Sequence, residues 1–111
     1  MTKIFIQTTI FEKKWAELGL SDDELSKLEE EIMRNPEVGS VIPGTGRVRK
    51  MRFALQDRGK RGGVRVCYVD FVVLDTIYLI TAYSKKEKDN LTPRECAKLK
   101  ALVEELERSL M

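Results

Sequence analysis

The chain has 111 residues, of which 42% are hydrophobic and 34% are charged, with 20 Lys+Arg against 18 Asp+Glu and no histidine. This length is typical of one domain, so we expect a single domain over residues 1–111. There is neither an apolar run of about 18 residues nor a signal peptide, which predicts a cytoplasmic protein with no membrane contact. With two cysteines and no histidine, we expect no metal site and no cofactor.

The first 36 residues predict a strand and two helices. Residues 3–7 alternate as a short strand, and Thr9 then matches the first position of a capping box. Ser21 begins a second capping box, and the helix that follows it stops before Pro36. We expect the two helices to form a hairpin packed on the sheet.

The next segment predicts three strands joined by short links. Residues 47–55 alternate, with Met51 and Phe53 on one face and Lys50 and Arg52 on the other. Residues 64–73 are nearly continuous apolar and aromatic residues, typical of a central strand covered on both faces. Residues 77–83 predict the last strand, so the three strands form an antiparallel meander.

A third capping box at Thr92, with proline at the first helical position, begins a C-terminal helix with a leucine-rich stripe. The predicted order is therefore β-α-α-β-β-β-α. This is an α+β fold with an antiparallel sheet, an N-terminal helical hairpin and a C-terminal helix.

Charge is distributed unevenly along the chain. Residues 44–65 hold eight basic residues and one acidic residue, which leaves 12 basic and 17 acidic residues elsewhere. A concentrated positive field attracts polyanions, so this stretch is the main indication of function. Charge alone leaves three alternatives open: contact with a nucleic acid, contact with an acidic protein, or a solvated surface.

The predicted hairpin brings a basic cluster together. Lys50 and Arg52 share a strand face, Arg61 lies in the adjoining loop, and Arg65 begins the next strand. Such a cluster suits RNA, because guanidinium groups bind phosphate oxygens in pairs. Since histidine is absent, any catalysis would use Lys, Arg, Tyr or carboxylates; a lysine could take a proton from a 2′-OH while arginines stabilise charge on phosphorus. Among the aromatic residues, Tyr83 is the candidate for stacking on a base.

Three motifs together resemble the HigB branch of the RelE/ParE toxin superfamily, whose members are toxins of type II toxin–antitoxin pairs. The motifs are Gly44-Thr-Gly-Arg-Val-Arg-Lys-Met-Arg52, Gly59-Lys-Arg-Gly-Gly-Val-Arg-Val-Cys-Tyr68 and the segment from Tyr78 to Thr92. The resemblance covers essentially the whole chain and agrees with the predicted element order. It implies a RelE-like fold and a ribosome-dependent endoribonuclease that cleaves mRNA codons in the A site through attack by the 2′-OH.

The resemblance also implies roles for individual residues. Lys50 is the candidate base, Arg52 assists it, and Arg65 clamps the phosphate. Lys85 or Lys86, after the last strand, protonates the leaving oxygen or stabilises charge. Apart from these carried-over roles, the basic stretch adds Arg49, Lys60 and Arg61 to the predicted RNA-binding surface, and Tyr83 is added as the candidate for stacking. Related toxins often stack a C-terminal tyrosine on the substrate base; residues 89–92 contain no aromatic here, and Tyr83 is the candidate in its place.

The expected partners are a cognate antitoxin and the ribosome with its mRNA. Two alternatives have other consequences. The same fold serves ParE-like toxins that inhibit gyrase without catalysis, and a basic face can also hold an acidic protein as a simple binding module.

Overall fold

The computed structural model describes residues 3–55, 63–88 and 90–111. Its elements are, in chain order, β1 (Ile4–Gln7), α1 (Thr9–Glu17), α2 (Asp22–Arg34), β2 (Ser40–Val41), β3 (Arg49–Phe53), β4 (Val64–Phe71), β5 (Thr76–Ser84) and α3 (Pro93–Leu110). A 3-10 turn, Val72–Leu74, precedes β5. The predicted α+β class and element order are confirmed, and β2 is an additional two-residue strand. Within these described ranges, no helix is long and apolar enough to cross a membrane.

The five strands form one sheet in the order β1-β5-β4-β3-β2. Strands β3, β4 and β5 are antiparallel neighbours, as the predicted meander requires. Strand β1 adds a parallel pair with β5, so the sheet as a whole is mixed. Parallel neighbours need a long connection, and the chain between β1 and β5 supplies one.

Side-chain caps fix where each helix begins. The hydroxyl of Thr8, one residue before the predicted Thr9, accepts the amide of Phe11 at 3.0 Å and donates to the carbonyl of Ile80 at 2.7 Å. Thr8 is the cap because its hydroxyl satisfies both the helix and β5. The predicted capping boxes at Ser21 and Thr92 are confirmed, and each is closed by a glutamate three residues later.

The sheet has a hydrophobic core on each face. The first core lies under α1 and α2 and includes the following buried residues: Phe11, Trp15, Leu28, Ile32, Met51, Phe53, Val66, Tyr68 and Leu79. The second lies under α3 and includes Val48, Cys67, Val69, Phe71, Ile80, Tyr83 and Val103. We call these two sides of the sheet the hairpin face and the α3 face. Covering on both faces explains the almost continuous apolar run of β4.

A β-bulge in β5 changes which side chains reach each face. Cys67 pairs with Thr81 but the next residue, Tyr68, pairs with Leu79, so β5 carries one extra residue at Ile80. Strict alternation would put Leu79 and Ala82 on opposite faces, yet both belong to the core of the hairpin face. The bulge thereby sets Tyr83 on the α3 face, beside the basic residues of β3 and β4.

Candidate nucleic-acid interface

Two rows of side chains cross the α3 face near the ends of β3 and β4. In the first row, Arg52 is opposite Arg65, and Arg65 is opposite Tyr83 on β5. In the next row, Lys50 is opposite Cys67. Directly opposed Cα atoms in antiparallel strands are about 5 Å apart, so the two arginines are close neighbours. The strand register thus brings three of the predicted catalytic residues together.

Lys50 lines a cleft beside these rows. The cleft has a volume of about 670 Å³ and lies between β2, residues 42–44 and the start of α3. Lys50 is partly buried, and its Nζ donates to the Oδ1 of Asn90 at 3.4 Å. The rest of the lining is mostly apolar and includes Val41, Pro43, Leu91 and Pro93. A cationic side chain therefore meets an amide at the wall of a mostly apolar cleft.

One wall of the cleft is held rigidly by Thr45, which is 1% exposed. Its hydroxyl donates to the carbonyl of Ile42 at 2.7 Å and accepts the amide of Val48 at 3.1 Å. The amide of Ile42 bonds in turn to the carbonyl of Val48 at 2.8 Å. Gly44 has a φ of +87°, which favours glycine, and a Cβ placed there would lie 3.5 Å from Cβ of Cys96. The loop is therefore fixed before any ligand enters.

The buried thiol beside Lys50 is not a candidate nucleophile. Burial raises the pKa of Cys67 to about 12, although the Lys50 charge and a hydrogen bond with Tyr83 act in the opposite direction. A thiol with such a pKa remains protonated at neutral pH, and the thiolate is the reactive form. Cys67 and Cys96 are both free and buried.

The Tyr83 ring is covered rather than presented to solvent. It is 3% exposed, and the Nζ of Lys88 lies 5.9 Å from the ring centre. Lys88 also pairs with Glu95 in the first turn of α3. Hydrogen bonds from the Lys88 ammonium and the Thr92 amide lower the pKa of the Glu95 carboxyl. In this arrangement no face of Tyr83 is open to a base, so its stacking role stays a prediction.

The other predicted site residues are spread over the molecule. Lys85 and Lys86 are exposed in the turn after β5, at the same end of the sheet as Arg65. Arg49 lies on the opposite face from Lys50, where its guanidinium donates to the carbonyl of Gly39 at 2.7 Å. Lys60 and Arg61 lie outside the described residues.

Sequence reasoning missed Asn90 and Lys88, which the structure brings to Lys50 and Tyr83. Both belong to the segment between β5 and α3. No local pattern distinguishes them, because their positions depend on long-range packing. In the parts of the chain that the structure describes, no group of three or more His, Cys, Asp or Glu residues is arranged to hold a metal ion.

The structure is a mixed sheet between a helical hairpin and a C-terminal helix, with basic residues at one end of the α3 face. A comparison of the sequence with known families agrees with this arrangement. A family model described as the RelE toxin of the RelE / RelB toxin-antitoxin system matches residues 2–109. The chain belongs to this family. The predicted membership of the superfamily is confirmed, and it implies an antitoxin as a partner; the HigB branch stays a prediction.

Proposed function

We propose that this toxin is an endoribonuclease that cleaves mRNA in the ribosomal A site, in the cytoplasm. The observation that carries the proposal is the position of Lys50 at the wall of a preformed cleft, next to the opposed pair Arg52 and Arg65. A base beside two phosphate-binding groups is the arrangement that cleavage of RNA by its own 2′-OH requires. Ribosome dependence and the HigB-like character rest on the sequence resemblance.

The proposed reaction assigns one task to each group. The Lys50 amine takes the proton of the 2′-OH, and the 2′ oxygen forms a bond to the adjacent phosphorus. Arg65 and Arg52 stabilise the charge that develops on the phosphate oxygens. The bond from phosphorus to the 5′ oxygen breaks, and Lys85 or Lys86 protonates that oxygen. The products are a 2′,3′-cyclic phosphate and a 5′-hydroxyl end.

Primer extension on mRNA from a reconstituted translating extract tests the proposal. Lys50→Gln removes the proposed base at similar size, and we expect the cleavage rate to fall by about 10² to 10⁴. Arg65→Lys keeps the charge but loses the guanidinium fork, and a loss of about tenfold or more is expected. Lys13→Gln, which removes an exposed charge from α1, is the matched control and should cleave like the wild type.

The outcomes separate this proposal from its alternatives. Unchanged cleavage by Lys50→Gln, with thermal unfolding matching the wild type, would contradict the assignment of the base. If wild-type protein leaves mRNA intact and causes DNA damage in cells, a ParE-like gyrase inhibitor is the better description. If it does neither and binds an acidic protein in a salt-sensitive manner, the basic face is a binding module.

A further inference from the structure

We propose that the cleft beside Lys50 is a nucleobase site, and that Asn90 reads the base in it by preferring a keto group to an amino group. The inference rests on the proposed function for the identity of the substrate, which is RNA. It adds the site that receives the base and the residue that discriminates between bases.

The cleft fits a base by its size and lining. Its volume of about 670 Å³ falls within the range of roughly 300–1,000 Å³ found for small-molecule sites. Unstacked bases are held between aromatic or apolar side chains, and Val41, Pro43 and Pro93 provide apolar side chains in the lining. Residues 42–48 are fixed by the Thr45 hydrogen bonds, so this wall does not have to be ordered when the base enters.

The occupant follows from the charge of the cleft wall. Lys50 joins the cleft to the basic end of the α3 face, where Arg52 and Arg65 are opposed. A nucleotide whose phosphate is bound at the arginines has its ribose near Lys50. The base attached to that ribose can then enter the cleft that Lys50 lines. An apolar ligand without a phosphate would gain nothing from Lys50 at the cleft wall. A bound protein segment would contact the basic end of the α3 face without requiring a cleft beside it.

The orientation of the Asn90 amide sets the base preference. The 3.4 Å contact from Lys50 Nζ to Asn90 Oδ1 turns the amide oxygen toward Lys50. The amide nitrogen, with its two N–H donors, is then directed away from Lys50. At the position where guanine O6 and uracil O4 accept hydrogen bonds, adenine and cytosine carry amino groups, so a donor directed at that position favours guanine and uracil.

To test this inference, the 5′ ends of mRNA fragments produced in the translating extract are sequenced. The bases that flank each cleavage position are then counted. For the wild type we expect keto bases to be preferred at one flanking position. Asn90→Ala should flatten this preference roughly three- to tenfold, the value of one hydrogen bond. Asn90→Asp keeps the oxygen for Lys50 and loses the donors, so it should shift the preference toward adenine and cytosine.

Asn35→Ala is the matched control, since Asn35 is an exposed asparagine at the end of α2 that does not line the cleft. The preferences are ratios within one sample, so a change in overall rate or stability does not alter them. If the wild type cleaves and both Asn90 variants keep its base preference, the nucleobase inference is overturned while the proposed function stands.

A second measurement keeps the inference testable if the wild type does not cleave, which would overturn the proposed function. Guanosine and adenosine monophosphates are then titrated into the protein and followed by NMR. Larger shifts with guanosine monophosphate at the amides of Gly44, Asn90 and Ala97 would support the nucleobase site by itself. Equal shifts with both nucleotides, or none, would overturn it.

Discussion

The two faces of the sheet differ in how much of their surface is covered by apolar packing. The hairpin face carries an apolar core from one end to the other, and the buried Tyr68 hydroxyl is bonded to Gly39 and Pro36. The α3 face is divided. At one end Arg47 lies over the Phe71 ring and pairs with Glu107 of α3, whereas the other end bears Lys50, Arg52 and Arg65. The hairpin face is thus packed with apolar side chains, whereas one end of the α3 face bears the basic residues of the proposed site.

The largest expected effect on stability comes from Phe11 on the hairpin face. Phe11 is 0% exposed and stacks on Trp15 with ring centres 5.3 Å apart. Phe11→Ala should lower the free energy of unfolding by about 3–5 kcal/mol, measured by urea denaturation, because it leaves a cavity. Ile10→Ala changes a neighbouring side chain that is 54% exposed and should stay within about 0.5 kcal/mol of wild type. Similar losses for both variants would show that burial of Phe11 in the core of the hairpin face is not what stabilises the protein.

Tyr68→Phe tests the polar anchor of the hairpin face. The hydroxyl accepts the Gly39 amide at 3.0 Å and donates to the Pro36 carbonyl at 2.7 Å, so its loss leaves both groups unbonded. The expected cost is about 1–3 kcal/mol in urea denaturation. Tyr78→Phe, at a partly buried tyrosine of the same sheet, is the control. If the two variants lose equally little, the anchor is unimportant.

Tyr68 also makes the stability of the protein depend on pH in the alkaline range. Burial raises the pKa of Tyr68 above its ordinary value of 10.0, an effect that the Gly39 hydrogen bond only reduces. Above pH 10 the unfolded chain loses this proton before the folded chain does, so stability falls as pH rises. Tyr68→Phe should lose that part of the decline, whereas Tyr78→Phe should keep it.

The smallest expected effect is at the N-terminal end of α3. The pKa of Glu95 is lowered mainly by its hydrogen bond with Lys88, so the folded state is favoured while Glu95 is ionised. This contribution is present above pH 4.5 and is lost as pH falls below it. Glu95→Gln should flatten the acid side of the stability profile by at most about 1 kcal/mol, because the pair is partly exposed. Glu105→Gln, exposed on the same helix, should retain the wild-type profile.

Local signals in the sequence predicted most of the fold. The Ser21 and Thr92 caps and the alternation of Met51 and Phe53 with Lys50 and Arg52 depend on neighbours a few residues away. The parallel pairing of β1 and the bulge at Ile80 were not predicted, because both depend on which distant strands meet. The cap at Thr8 was missed by one residue because its hydroxyl also bonds to β5.

In the candidate site, too, the sequence predicts the local contacts but not the long-range ones. The pairing of Arg52 with Arg65 follows from a hairpin, which the sequence predicts. The contact between Lys50 and Asn90 spans 40 residues, and the burial of Tyr83 under Lys88 depends on where α3 begins. Such contacts carry no periodic signal. Arg49 was grouped with Lys50 by charge, although the strand places the two on opposite faces.

The Thr45 hydrogen bonds bear on which residues of the cleft can be substituted without changing the loop. They hold the loop through backbone atoms of Ile42 and Val48, so these hydrogen bonds do not involve the exposed side chains of Val41 and Pro43. Mutation can therefore reshape the rim of the cleft while the loop keeps its path. If the cleft receives a base as proposed, substitutions at Val41 and Pro43 should change the base preference without unfolding the loop.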